Sequence, residues 1–196
     1  MIVGSHDDGW RNAIATVASD IRAVTDPIFD PASLEPQSAD LCLAIGALET
    51  NNDLPAAAFA LRSCLRPGGL LIGAIVGGAS LPRLRAAMLA ADRLDGRAVS
   101  RCHPMIDGPS LAALLTSVGL NDPVIDVERV DVAYPDLDRL VGDLRAMGCT
   151  NVLANQSPAP LSRRALTVAR QSFLDGKDRA IERFELLYFT AWAPEI

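Results

Sequence analysis

Aromatic side chains are scarce: two Trp, two Tyr and five Phe make up 5% of the 196 residues. That argues against the aromatic platforms on which single-stranded nucleic acids stack. Lysine is scarcer still. Lys177 is the one lysine among 18 basic residues, a bias of GC-rich coding, and 24 acidic residues bring the net charge to −6 and the pI to about 4.9. A protein that held nucleic acid by neutralising phosphates would be basic, so no nucleic-acid partner is expected. No apolar run reaches the ~18 residues of a membrane span; the longest, Gly68 to Gly78, is broken by glycines. The N-terminus shows no basic stretch followed by an apolar one, so the expected location is the cytoplasm. Cys42, Cys64, Cys102 and Cys149 are isolated, and His6 and His103 stand far apart. No metal site is read from that spacing, and reduced, mostly buried thiols are expected.

What is present is ample core. Hydrophobic residues make up 49% of the chain and mean hydropathy is +0.21, which fits one folded domain over residues 1–196. Short strands are read at Ile2–Gly4 and Ile21–Val24, with a helix between them over Gly9–Ala18. Pro27, Pro31 and Pro36 mark a loop. Asp40–Gly46 and Leu70–Val76 have the length and unbroken apolar character of strands buried on both faces. Asp53 is a good cap for the helix between them, and Pro55 suits its first turn. Ser80 is read as the cap of a helix over Leu81–Leu94. Further helices are read at Asp107–Val118, Asp136–Met147 and Leu161–Leu174. Val124–Val127, extended by Val130 and Val132, and Glu185–Ala193 read as the last two strands. This alternation implies an α/β fold with a mostly parallel sheet. The helical material between the last two strands makes residues 134–176 an insertion and lets the final strand return antiparallel, at an edge.

The run from Asp40 to Pro55, followed by Leu65-Arg66-Pro67-Gly68-Gly69-Leu70-Leu71-Ile72, resembles class I S-adenosylmethionine-dependent methyltransferases. Four further pieces occur in order: Asn52-Asp53-Leu54-Pro55, then Gly77 to Arg85, then Tyr134-Pro135-Asp136, then Asp143 to Asn151. Together they are similar to the methyltransferase-like family of the complex I assembly factor, an arginine hydroxylase, and of its relative, the malonyl-carrier-protein methyltransferase. The resemblance covers roughly Ile21 to Pro194 and implies a three-layer Rossmann-like sandwich. The chain departs from the family in two places. The D-x-G-x-G-x-G loop is not found in these residues, which makes the opening βα unit missing or degenerate. Alternatively, Val3 to Gly9 is a decayed form of that loop. After the Asp40–Gly46 strand, Glu49 and Thr50 stand where the family has His and Trp.

The resemblance and the strand ends nominate Asp7, Asp26 and Glu49 toward a cofactor, S-adenosylmethionine if one binds, with no metal. Asp53, Gly77, Gly78, Arg85, Tyr134, Asp136, Met147 and Asn151 are nominated for a substrate or partner surface, with Arg83 beside Arg85 facing an acidic partner. His103 is a remote candidate base, and no catalytic residue is assigned. Two functions are expected. One is a protein-binding or assembly-type module degenerate in cofactor binding. The other is an active methyltransferase, or related hydroxylase, acting on a protein or carrier-bound substrate. A sheet lacking its first strand would leave an uncovered edge beside the Asp40–Gly46 strand, so a homodimer or a heterologous complex is expected.

Overall fold

The computed structural model describes residues 1–3, 15, 20–24, 30–49, 51–96, 101–147 and 160–195. Its strands are β1 (Ile2–Val3), β2 (Ala23–Val24), β3 (Ala39–Ile45), β4 (Leu65–Val76), β5 (Asn121–Tyr134) and β6 (Ala180–Trp192). Its α-helices are α1 (Leu54–Cys64), α2 (Pro82–Leu94), α3 (Gly108–Ser117), α4 (Leu137–Ala146) and α5 (Arg163–Leu174). They divide into two compact units. One comprises Met1–Val76, Ile106–Glu128 and Leu186–Ile196, the other Gly77–Met105 and Arg129–Glu185. The helix read over Gly9–Ala18 falls, but for Ala15, outside the described residues.

The strands form one sheet in the order β2-β1-β3-β4-β6-β5. The β2-β1, β1-β3 and β3-β4 pairs are parallel, and β6 runs antiparallel to β4. This is the mixed α/β architecture expected from the alternation of elements. The final strand is antiparallel as read, but it is not an edge strand: β6 lies between β4 and β5. Its residues explain the difference. Leu187, Phe189 and Ala191 are buried in the core, whereas Val124 and Val127 of β5 are exposed. The expected open edge beside β3 is also corrected. β1 pairs there, Ile2 with Leu43 and Val3 with Ala44, and Leu43 donates its N–H to the Met1 carbonyl. The self-association argued from that edge loses this support.

In the first unit, α1 and α3 supply Ala57, Leu61, Leu111 and Leu115 to a core that includes Cys42, Ala44, Leu71, Ile75, Leu187 and Phe189. Alternation along β4 places Leu71, Gly73 and Ile75 in one buried row, while Leu70, Ile72, Ala74 and Val76 are half-buried. The Arg-Pro-Gly-Gly run is a bulge inside β4. Leu65 already pairs with Ala39, and the ladder resumes at Leu41 and Leu70. Gly68 has φ 71°, and a Cβ on Gly69 would stand 2.9 Å from the Arg66 carbonyl oxygen. Both positions therefore favour glycine.

In the second unit, Ala87 and Ala91 of α2 and Ala165 and Ala169 of α5 are buried in one cluster with Leu137, Leu140 and Phe173. Small residues let the two helices approach closely. Asp92 is buried and accepts two hydrogen bonds from Arg101, at 2.7 and 2.8 Å, so the charge is paired where water cannot reach it.

Asp53, Asp107 and Asp136 cap α1, α3 and α4, each accepting from a backbone N–H three residues on. Replacing such a cap by Ala costs about 1 kcal/mol. Asp136→Ala is therefore expected to lower unfolding free energy by about 1 kcal/mol in urea titration, with the slope unchanged. Ser80 does not cap α2. Leu81, at φ 57°, occupies the cap position without a side-chain bond. The Ser80 hydroxyl donates to the Glu185 carbonyl at 3.1 Å and accepts from the Glu185 N–H at 2.8 Å. The capping oxygens come from Glu182 on β6, which accepts from Arg83 N–H at 3.2 Å and Leu84 N–H at 2.8 Å.

Candidate functional site

In the first unit the connection from β1 runs outward to β2, and that from β3 runs the other way, to β4. A parallel sheet whose connections diverge in this manner opens a crevice at the carboxyl ends of the two strands where they part. Here those ends are Val3 of β1 and Ile45 of β3. Asp7 follows β1 in sequence and Asp26 follows β2; both lie outside the described residues, as does Asn151.

Glu49 is described, and it sits on the turn leaving β3. Gly46 opens the turn at φ 64°, and Ala47 and Leu48 are buried and anchor it. The turn holds the Glu49 carboxyl where water is largely excluded. Its Oε2 is buried and makes no hydrogen bond among the described residues. Burial pushes its pKa up, while the backbone amides of Glu49, Val76 and Leu48 pull it back. A buried carboxyl oxygen without a partner is costly to keep, which marks this group as one suited to a ligand. Asp53, four residues on, is committed to its helix cap.

The second unit brings several of the remaining candidates into a tight structural web. Gly77 donates its N–H to the Glu185 carbonyl, and a Cβ there would stand 2.6 Å from Glu185 Oε1. Glu185 itself is buried and accepts from the Ala79 N–H at 3.2 Å and from Arg129 Nε at 3.1 Å. Arg85 donates to the carbonyls of Gly78 and Ser80. Arg83 donates to the Phe173 carbonyl at 3.2 Å. Tyr134 is buried, 5% exposed, and so offers little surface. Burial and the neighbouring Asp143 raise its hydroxyl pKa. Met147 is exposed, and Asp136 is the α4 cap. His103 is half-buried, and burial lowers its pKa. Glu182 and Glu185 were not singled out from sequence. Their signal is two acids within a terminal strand that is mostly apolar. Among the described residues no group of three or more His, Cys, Asp or Glu is placed to hold a metal ion. No described helix is long and apolar enough to cross a membrane.

No protein-family model matches the chain. Individual proteins do. The malonyl-[acyl-carrier protein] O-methyltransferase of Xylella fastidiosa is 31% identical over 188 residues, 94% of this chain and 59% of that protein. The mitochondrial arginine-hydroxylase NDUFAF5 of Danio rerio is 31% identical over 161 residues, 79% of this chain and 50% of its own length. The fold aligns with that of a Bacillus halodurans protein described as a methyltransferase, at TM-score 0.59 and 11% identity, covering 98% of this chain and 91% of the other. The chain has the fold of class I methyltransferases and is similar in sequence to methyltransferase-like proteins. This methyltransferase-like chain spans only about half to three-fifths of the length of those two curated relatives.

Proposed function

We propose that this methyltransferase-like chain binds S-adenosylmethionine at the crevice between the carboxyl ends of β1 and β3, and acts on a substrate carried on a protein. The observation that carries the reading is the buried Glu49 oxygen without a hydrogen-bond partner, on the turn just past the carboxyl end of β3. Its donor set fits the group: a carboxyl held by backbone amides is complementary to a positively charged ligand. S-adenosylmethionine, when bound, supplies a methyl group on a sulfonium. The chain's part is to bind and orient it, through Glu49 and the turn Gly46–Glu49, and to exclude water. Support for a carried substrate comes from the carrier-protein methyltransferase among its relatives.

A protein-binding, assembly-type module without a bound donor is the second reading. The observation favouring it is Glu49 itself, with Thr50, standing where the family resemblance has His and Trp. Titration calorimetry separates the two. Saturable binding of S-adenosylmethionine in the micromolar range is expected, and no heat at millimolar ligand would leave the binding-module reading.

A further inference from the structure

Charge is divided unevenly along this chain. The residues of the first unit carry fourteen Asp and Glu against four Arg, whereas those of the second carry ten acids against fourteen Arg and Lys. Glu49 belongs to the acidic unit, and the groups acting on its carboxyl are backbone amides of Glu49, Val76 and Leu48, with no charged side chain among them. Its Oε2 is closed off from water and unpaired among the described residues. No described cation neutralises it from within the fold. A positively charged ligand centre would complete it, and the net negative charge of the unit favours the approach of such a ligand at long range.

We propose that Glu49 is the specificity-determining residue of the crevice, selecting a ligand with a cationic centre over the same ligand without that charge. Resting on the donor reading above, this makes Glu49 the residue that tells a sulfonium donor from its neutral thioether product. It is a selector of charge state and a promoter of product departure, and no bond is made or broken at its oxygens. Binding of the cation ionises the carboxyl, which releases a proton wherever the free group is protonated.

The experiment is calorimetry of the full chain with S-adenosylmethionine and S-adenosylhomocysteine, in wild type and in Glu49→Gln. The wild type is expected to favour the sulfonium by about tenfold or more, the effect of one pKa unit of differential interaction. Glu49→Gln, close in shape and unable to ionise, is expected to bind both nearly equally. A second measurement guards against a variant that fails to fold. Wild-type affinity for S-adenosylmethionine should fall as pH drops through the raised pKa of Glu49, while that for S-adenosylhomocysteine changes little. Runs in two buffers of different ionisation enthalpy should show proton release with the sulfonium alone. Equal wild-type affinities, or a preference that survives Glu49→Gln, overturns the selector and leaves donor binding standing. Failure of both ligands to bind the wild type overturns the donor reading and the selector with it.

Discussion

Gly73→Ala is expected to cost about 3 kcal/mol or more of folding free energy, because over-packing a filled core costs 1–3 kcal/mol and here backbone blocks relief. Gly73 lies in the middle of β4, in the row that faces the core of the first unit. A Cβ there would overlap the ring tip of Phe189 and stand 2.7 Å from the Ala44 carbonyl oxygen. Phe189 is 1% exposed and pairs with Gly73 across the β4-β6 ladder, so its ring has no free space to turn into. Ala44 pairs with Gly73 on the other side, and its carbonyl is fixed in the β3-β4 ladder. The missing side chain is thus an accommodation of the ring, and only glycine meets both neighbours. Urea titration followed by circular dichroism reads the loss as a lower midpoint. Trimming the ring with Phe189→Leu in the Gly73→Ala background should recover part of the loss and no more, since the carbonyl contact persists. Full tolerance of Gly73→Ala would show that β4 and β6 are more loosely joined than their register implies.

Glu182→Ala comes next, with an expected loss of about 3 kcal/mol, combining a lost helix cap with donors left unsatisfied in a buried place. Glu182 is fully buried, and its two oxygens accept the N–H groups of Arg83 and Leu84 at the start of α2. A third donor is the N–H of Arg183. The N-terminus of a helix has a partial positive charge, so a carboxylate is the best partner available there. Glu182→Gln keeps the shape and one acceptor and should cost roughly half as much. Ser80→Ala, by contrast, leaves both Glu182 bonds intact. Hydrogen exchange at Arg83 and Leu84 is the direct readout: both amides should lose protection in Glu182→Ala and keep it in Ser80→Ala.

That pair of residues shows where sequence reading stops. A short polar side chain just before a helical pattern is a sound local signal, and Asp53, Asp107 and Asp136 all fulfil it. Ser80 does not, because a carboxylate about a hundred residues away reaches the helix first, and no local spacing encodes that approach. The same limit set the start of the last strand. Ala180 to Phe184 carries two charges in five residues, and the strand was read only from Glu185. In the structure Glu182 is spent on α2, and Arg183 is paired with Asp131, its Nε at 2.8 Å. The strands β3 and β4 were legible because fully apolar runs of that length have few other uses. Of the three carboxylates nominated toward a cofactor, Asp7, Asp26 and Glu49, only Glu49 falls among the described residues. Its missing partner is a property of three-dimensional burial, which composition does not carry.

The β4-β6 ladder has a bearing on how the chain comes to be made. Val76 pairs with Leu186 and Leu70 with Trp192, partners more than a hundred residues apart. Closing so large a loop is entropically slow, and contacts of this separation form late. During synthesis β4 leaves the ribosome with β3 to pair on one side, while the other side waits until β6, more than a hundred residues further on, has been translated. For that interval the centre of the future sheet is an open, apolar strand, and its protection depends on the pace of elongation and on whatever chaperone reaches it first.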